Sequence, residues 1–321
     1  MPFEQLENGK PSVSVLVAGW PGMGHVGLGA ADYLRRMLNA RLFARLDVSA
    51  YHYPDAIEVQ DGLGQLPPPP NQYLYHAQEP PLFIFEGDTQ LPGAAGLKVA
   101  GELLDFCARF GVQTVYTGAA YAMPMSFRQA STVYGVATNE TLKARFAAFG
   151  VEPLPEGRIT GLNGVLLGLA HQRHMAAACF LATMPQYAVE TPNPKASKAI
   201  IQVFQRILNK TIDPGEIDVA IAEVDRVLRE FETRVTAAIQ ELKQRAEELA
   251  DVTDQDKDPE ARPEPQEVME RIEQLFEEAH RDRSKAVILK QELDRWELFN
   301  MFEDRFLDLF GKKGTDTQAR E

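Results

Sequence analysis

The chain has 321 residues, 45% hydrophobic and 25% charged, the composition of an ordinary globular protein with room for one core and an appendage. No apolar run is long enough to span a bilayer, and the start MPFEQLENGK lacks a basic stretch leading into an apolar one, which argues against membrane insertion and secretion and for a cytoplasmic protein. The net charge of −13 is uneven: residues 1–200 carry 14 basic and 16 acidic side chains, residues 201–321 carry 19 and 30, and no basic cluster suits nucleic acid.

Ser12 to Ala18 (SVSVLVA) predicts a buried strand. The glycine-rich turn GWPGMGHVGLG follows, and AADYLRRMLNA has helical spacing. Leu42 to Val48 predicts a second strand. A polar, glycine-rich stretch then ends in four prolines, Pro67 to Pro70, which cannot join a ladder and imply an exposed loop or edge. Leu82 to Phe85 is a third strand, ending on Glu86-Gly87-Asp88. Leu97, Ala100, Leu104, Cys107 and Phe110 mark one helix face that Gly111 stops. Thr114 to Thr117 and Thr132 to Ala137 are strand-like, and Asn139 caps a helix running to Phe149 before Gly150. TGLNG (Thr160 to Gly164) opens another helix, Ala176 to Ala182 is a last strand, and Lys195 to Leu208 is an amphipathic helix. Alternating strands and helices imply an α/β domain over Pro11 to Ile212, with a mostly parallel sheet sandwiched by helices. Cys107 and Cys179 fall in apolar segments, as two buried free thiols would.

Beyond Ile212 the pattern changes, so the expected division is a core over 1–212 and an acidic helical extension over 213–321. Ile217, Ile221, Val224, Leu228, Phe231 and Val235 step by four and three in a coiled-coil-like seam that Leu242 and Leu249 prolong. The proline-rich acidic segment 251–266 is expected to be a flexible linker. Val268, Ile272 and Leu275 begin a helix, and Leu289, Leu293, Trp296, Phe299, Phe302, Phe306 and Leu309 continue an apolar stripe. The expectation is a helical hairpin, or arms that pack on other subunits, with both stripes offered to an oligomer or partner interface.

Gly22, Gly24 and Gly27 satisfy G-x-G-x-x-G between strand and helix, with Asp47 twenty residues on, as in a dinucleotide site. Gly19-Trp20-Pro21 intervenes, however, and three uses stay open: a dinucleotide, an anion at the helix N-terminus, or glycines for a tight turn and close packing.

The longer motifs GWPGMGHVGLGAADYL (Gly19 to Leu34), VYGVATNETLK (Val133 to Lys143), GRITGLNGVLLGLA (Gly157 to Ala170) and NPKASKAIIQVFQRIL (Asn193 to Leu208) resemble the signature blocks of the proteasome assembly chaperone 2 family, in that family's order and spacing. The resemblance implies a scaffold similar to purine nucleoside phosphorylase, a tendency to oligomerise and, in some members, a chaperone role in proteasome assembly. Two positions depart from the family: Leu181-Ala182 stands where a Gly-Glu pair is frequent, and the sequence ends Ala319-Arg320-Glu321 rather than in a hydrophobic–Tyr–any tripeptide, so docking through that device is not implied.

Such a scaffold keeps an enzyme in view. Glu86, Asp88, Asn139, Arg158, Thr160 and Asn163 could converge with Gly22, Gly24, His25 and Gly27 on a small anionic or nucleoside-like ligand: Arg158 for an anion, Glu86 or Asp88 as base, Asn163 to orient. Caps, turns and surface salt bridges explain the same residues, and no nucleophile–base pair is legible. His171 and His174 lack an acidic or cysteine partner for a metal. No cofactor or metal is expected. The function expected first is a protein-binding, chaperone-like homo-oligomer with no membrane or nucleic-acid partner; an enzyme is the alternative.

Overall fold

The computed structural model describes residues 3–52, 54–230, 233, 265–296, 298, 299, 302, 305, 306 and 309. Contacts divide the chain into two compact units, Met1–Phe231 and Glu232–Glu321.

The first unit is built on a nine-stranded sheet. Its strands are β1 (Phe3–Gln5), β2 (Val15–Gly19), β3 (Arg41–Leu46), β6 (Gln72–Gln78), β7 (Pro81–Gly87), β8 (Thr114–Met123), β9 (Val133–Ala137), β10 (Glu152–Pro153) and β11 (Ala176–Pro185). They lie in the order β1-β3-β6-β7-β2-β8-β11-β9-β10. The centre, β7-β2-β8-β11, is parallel, as the strand–helix alternation requires. The flanks are not: β6 pairs β7, β3 pairs β6, β1 pairs β3 and β9 pairs β11, all antiparallel. The connection from β6 to β7 is too short for a parallel crossover. A separate two-stranded ribbon, β4 (Glu58–Gln60) with β5 (Leu63–Gln65), projects between β3 and β6.

The pleat sends alternate residues to opposite faces. Leu16, Phe83, Phe85, Val115 and Cys179 meet α2 (Gly93–Ala108) and α5 (Leu162–Gln172) in one core. Val17, Leu82, Ile84, Tyr116 and Phe180 meet α1 (Val26–Met37) and α6 (Pro194–Leu208) in the other. The helix expected from Asn139 to Phe149 is two short ones, α3 (Glu140–Lys143) and α4 (Phe146–Phe149). Burial raises both thiols, Cys179 to about 12, so they are unreactive apolar filler.

The first unit does not stop at Ile212. A helix over 215–230, α7, folds back onto it. Ile217 joins the α1–α6 core, and Leu228, with Val224 against it, packs on Phe127 and Ala188. Lys195 pairs with Asp225 at 2.9 Å, and Tyr33 donates to the Asp213 carbonyl at 2.6 Å. The seam expected to make a coiled coil is therefore satisfied within its own unit at Ile217 and Leu228, with Ile221 half-buried. Phe231, Val235, Leu242, Leu249 and most of the expected linker lie outside the described residues.

In the second unit α8 (Pro265–Arg281) and α9 (Ala286–Arg295) form a hairpin through a turn capped by Asp282, whose side chain accepts from Ser284 N–H. Ile272, Leu275, Phe276, Leu289 and Leu293 are its core. Phe299, Phe302 and Phe306 pack against that core, and Trp296 donates to Glu292 at 2.9 Å. Of the aromatic stripe, Phe299, Phe302 and Phe306 therefore rest on their own hairpin and stay half-buried, as does Trp296.

Candidate functional site

The strand directions gather three features on one edge, beyond the carboxyl ends of the parallel strands: the glycine turn after β2, the ribbon after β3, and the loop between β8 and β9. The glycine turn is the most constrained. Trp20 is wholly buried, and its main-chain N–H donates to Asn163 Oδ1 at 3.0 Å while Asn163 Nδ2 donates to its carbonyl at 3.1 Å. Its indole donates to Gln72 Oε1 at 3.1 Å, and Gln72 in turn donates to the Thr89 carbonyl at 3.1 Å. Gln90 bridges the Pro21 carbonyl and the Leu162 N–H, and Thr117 donates to the Asn163 carbonyl at 2.6 Å. Buried amides need such partners, because an unmade bond costs about 1–3 kcal/mol. Asn163 is thereby a clamp on the chain, its amide using one N–H and one lone pair on the Trp20 backbone.

The glycines serve contact. A Cβ on Gly27 would lie 2.0 Å from the Gly118 carbonyl oxygen, so α1 rests directly on β8. Gly24 takes φ +58°, where a side chain is strained and would meet Met184 at 2.9 Å. Its N–H donates to the Val189 carbonyl at 2.7 Å, and its carbonyl accepts from Asn193 N–H at 2.8 Å. The His25 N–H donates to the Gly22 carbonyl and the Val26 N–H to that of Met23. Three amides that an anion would use are therefore spent inside the fold. Gly22 and His25 themselves are exposed.

The other expected residues do not converge. Glu86 faces α1, not the turn, and accepts from Arg35 at 2.8 Å. Arg35 also pairs with Asp32 and lies over the Tyr75 ring. Burial pushes the Glu86 carboxyl up to about 7, with Arg35 pulling the other way. Asp88 is exposed and closes the β6–β7 end, accepting from Asn71 N–H at 3.1 Å. Asp47 accepts from Ser49 N–H within its own turn. Asn139 caps α3, accepting from Leu142 N–H at 2.8 Å; because β9 runs antiparallel, it sits on the opposite edge of the sheet, with His171 and His174. Arg158 and Thr160 are exposed on the loop before α5. Among the described residues no group of three or more His, Cys, Asp or Glu could hold a metal ion, and no helix is long and apolar enough to cross a membrane.

Beside exposed polar residues such as His25 and Asp88, the edge also exposes large apolar side chains. Met23 on the glycine turn, Tyr121 at the end of β8 and Tyr187 after β11 are each about 40% or more exposed, and Ile57, Val59, Leu63 and Leu66 on the ribbon exceed that. These were not expected from the sequence. Their signal was there in IEVQDGLGQL (Ile57 to Leu66), an Asp-Gly pair between alternating apolar and polar residues.

The PAC2 family model matches residues 16–232, and the chain belongs to that family. The chain is similar to PbaB of Pyrococcus furiosus, described as an archaeal proteasome activator: 27% identity, TM-score 0.61, covering 72% of this chain and 98% of that one. A Mycobacterium tuberculosis proteasome-assembly chaperone homologue has the same fold at 21% identity and TM-score 0.57, covering 67% of this chain and 94% of its own. An uncharacterized protein of Methanocaldococcus jannaschii is 25% identical over 248 residues, which are 74% of this chain and 90% of that one.

Proposed function

We propose that this chain is a protein-binding, chaperone-like member of its family that assembles with copies of itself and engages a protein client. The observation that carries this reading is the chemistry of the carboxyl edge. The polar groups a small ligand would need there, Asn163, Gln72, Gln90 and Thr117, are bound to the chain's own backbone and indole. Among the side chains that face outward there are seven large aliphatic and aromatic ones, Met23, Ile57, Val59, Leu63, Leu66, Tyr121 and Tyr187, the material of a protein interface. The likeness to an archaeal proteasome activator makes a proteasome particle the first client to try.

The test uses the full chain at micromolar concentration. Light scattering should give a mass above 35.8 kDa, and the host's proteasome core particle should co-elute with it on gel filtration. A monomer that ignores the particle, and whose melting temperature rises with nucleosides or phosphate, would replace this reading with the enzyme.

A further inference from the structure

Helix α7 lies on the first unit through a thin and charged contact. The chain is fixed up to its start, where Gln205 donates to the Ile212 carbonyl at 3.1 Å and Tyr33 to that of Asp213. Pro214-Gly215 follows, a pair at which a chain readily turns. Each end of the helix is anchored by one buried aliphatic, Ile217 in the α1–α6 core and Leu228 on Phe127 and Ala188. Between them Ile221 and Val224 stay half-buried. A cleft runs along this seam, with Met125, Phe127 and Pro185 on one wall and Ile221, Val224 and Leu228 on the other, so the contact falls short of interior packing. The remainder is charge. Asp225 meets Lys195 at 2.9 Å, Asp218 meets Lys198 at 2.5 Å, and Glu216 meets Arg36. Such partly exposed pairs hold weakly, and salt screens them.

We infer that the surface under α7 is a docking groove for an acidic amphipathic helix of a partner protein, and that α7 is its exchangeable resident; this rests on the protein-binding reading above and supplies the partner's chemistry. Charge complementarity chooses the occupant. Neither α6 nor the loop 124–132 contains an acid, and Lys195 and Lys198 stand beside the apolar floor that Phe127 and Ala188 form. Such a groove asks for a line of aliphatics flanked by carboxylates. The helix already seated there has that pattern, with Ile217, Ile221, Val224 and Leu228 in line and Asp218 and Asp225 alongside. The groove is also built without α7. Lys195 donates to the Phe127 carbonyl and lies over the Phe127 ring at 5.6 Å, and the Phe127 N–H donates to the Tyr187 hydroxyl at 3.3 Å. Cation and floor are thus joined by contacts α7 does not make. Swinging about Pro214-Gly215, α7 gives up one buried aliphatic at each end and pairs that water replaces, and a partner helix that fills the cleft regains them. While seated, α7 competes in cis and lowers the apparent affinity for any such partner.

The probe is a fluorescent peptide of residues 213–230, added to the full chain and followed by anisotropy. Leu228→Asp with Asp225→Lys in the chain weakens α7 in cis and leaves the groove intact; circular dichroism and melting curves verify that this variant folds. It should bind the peptide about tenfold more tightly than the unaltered chain does, because the resident competitor is gone. Adding Lys195→Glu to it should cancel that gain, as should a peptide carrying Leu228→Asp. Hydrogen exchange on the unaltered chain gives a second reading: amides of 215–230 should exchange about tenfold faster than those of α6, and faster again at high salt. The inference is overturned if the folded variant binds the peptide no better than the unaltered chain. It is equally overturned if 215–230 exchanges as slowly as α6 at low and high salt, which would make α7 a permanent part of the core. Co-elution of the unaltered chain with a client alongside either result leaves the protein-binding reading standing, so the two failures are told apart.

Discussion

The glycine turn after β2 and the Asp-Gly ribbon after β3 leave the same edge of one sheet and use similar residues to opposite ends. In the first, Gly24 and Gly27 let backbone and helix press against Met184 and Gly118, and Trp20 goes inside with each main-chain polar group bound. In the second, Gly62 serves only the turn, nothing lies within 4 Å of where its Cβ would be, and the aliphatics stay in water. Glycine by itself therefore says little about function. What its missing side chain would strike decides whether a loop is a seal or a surface.

That contrast breaks most sharply at Gly27. Gly27→Ala should cost at least ~3 kcal/mol, because the obstacle 2.0 Å away is a strand carbonyl rather than a movable side chain. The expected outcome is an insoluble chain or a melting temperature lowered by many degrees. Asn163→Ala comes next, at about 3 kcal/mol. It strands the buried Trp20 N–H and carbonyl together, and Asn163→Asp, which sets a buried carboxylate oxygen against the Trp20 carbonyl, should lose at least as much at neutral pH by denaturant titration. A stable Asn163→Ala variant would mean that the clamp is dispensable.

Much of this was legible. Period-two apolar runs placed the central strands, and stop signals such as Gly111 and Gly150, both at positive φ, placed helix ends. The family blocks pointed to the right fold. The candidate site was less legible, for identifiable reasons. Asn163 and Glu86 are the residue types of ligand sites, and their partners, the Trp20 backbone and Arg35, are far away in sequence. Asn139 was misplaced because the strand before it runs antiparallel, which alternation alone does not reveal. The tail misled through periodicity: a four–three apolar step suits a coiled coil, but Ile217 and Leu228 find cover on the chain's own core. The ribbon was legible and passed over, its alternation hidden beside four prolines.

Glu86 marks a boundary between sealed and open chemistry, and pH tests it. Its carboxyl is raised from the ordinary 4.5 to about 7 by burial. Between those values the folded chain holds a proton that the unfolded chain has released, so this group favours folding as pH falls and opposes it above neutrality. Its contribution should grow by ~2 kcal/mol from pH 8 to pH 5. Glu86→Gln should remove that slope, seen as a flatter difference in melting temperature across the range. Identical pH profiles for the two chains would place the Glu86–Arg35 pair in contact with solvent.

The smallest effect is the most informative about the ribbon. Val59→Ser and Leu66→Ser replace side chains 66% and 68% exposed, which join none of the buried clusters. At a dilution where only monomer is present, each should move stability by no more than ~0.5 kcal/mol, the range of ordinary surface changes. A loss above ~1 kcal/mol in dilute monomer would place Val59 and Leu66 in their own chain's core and move the ribbon to the sealed side of the comparison.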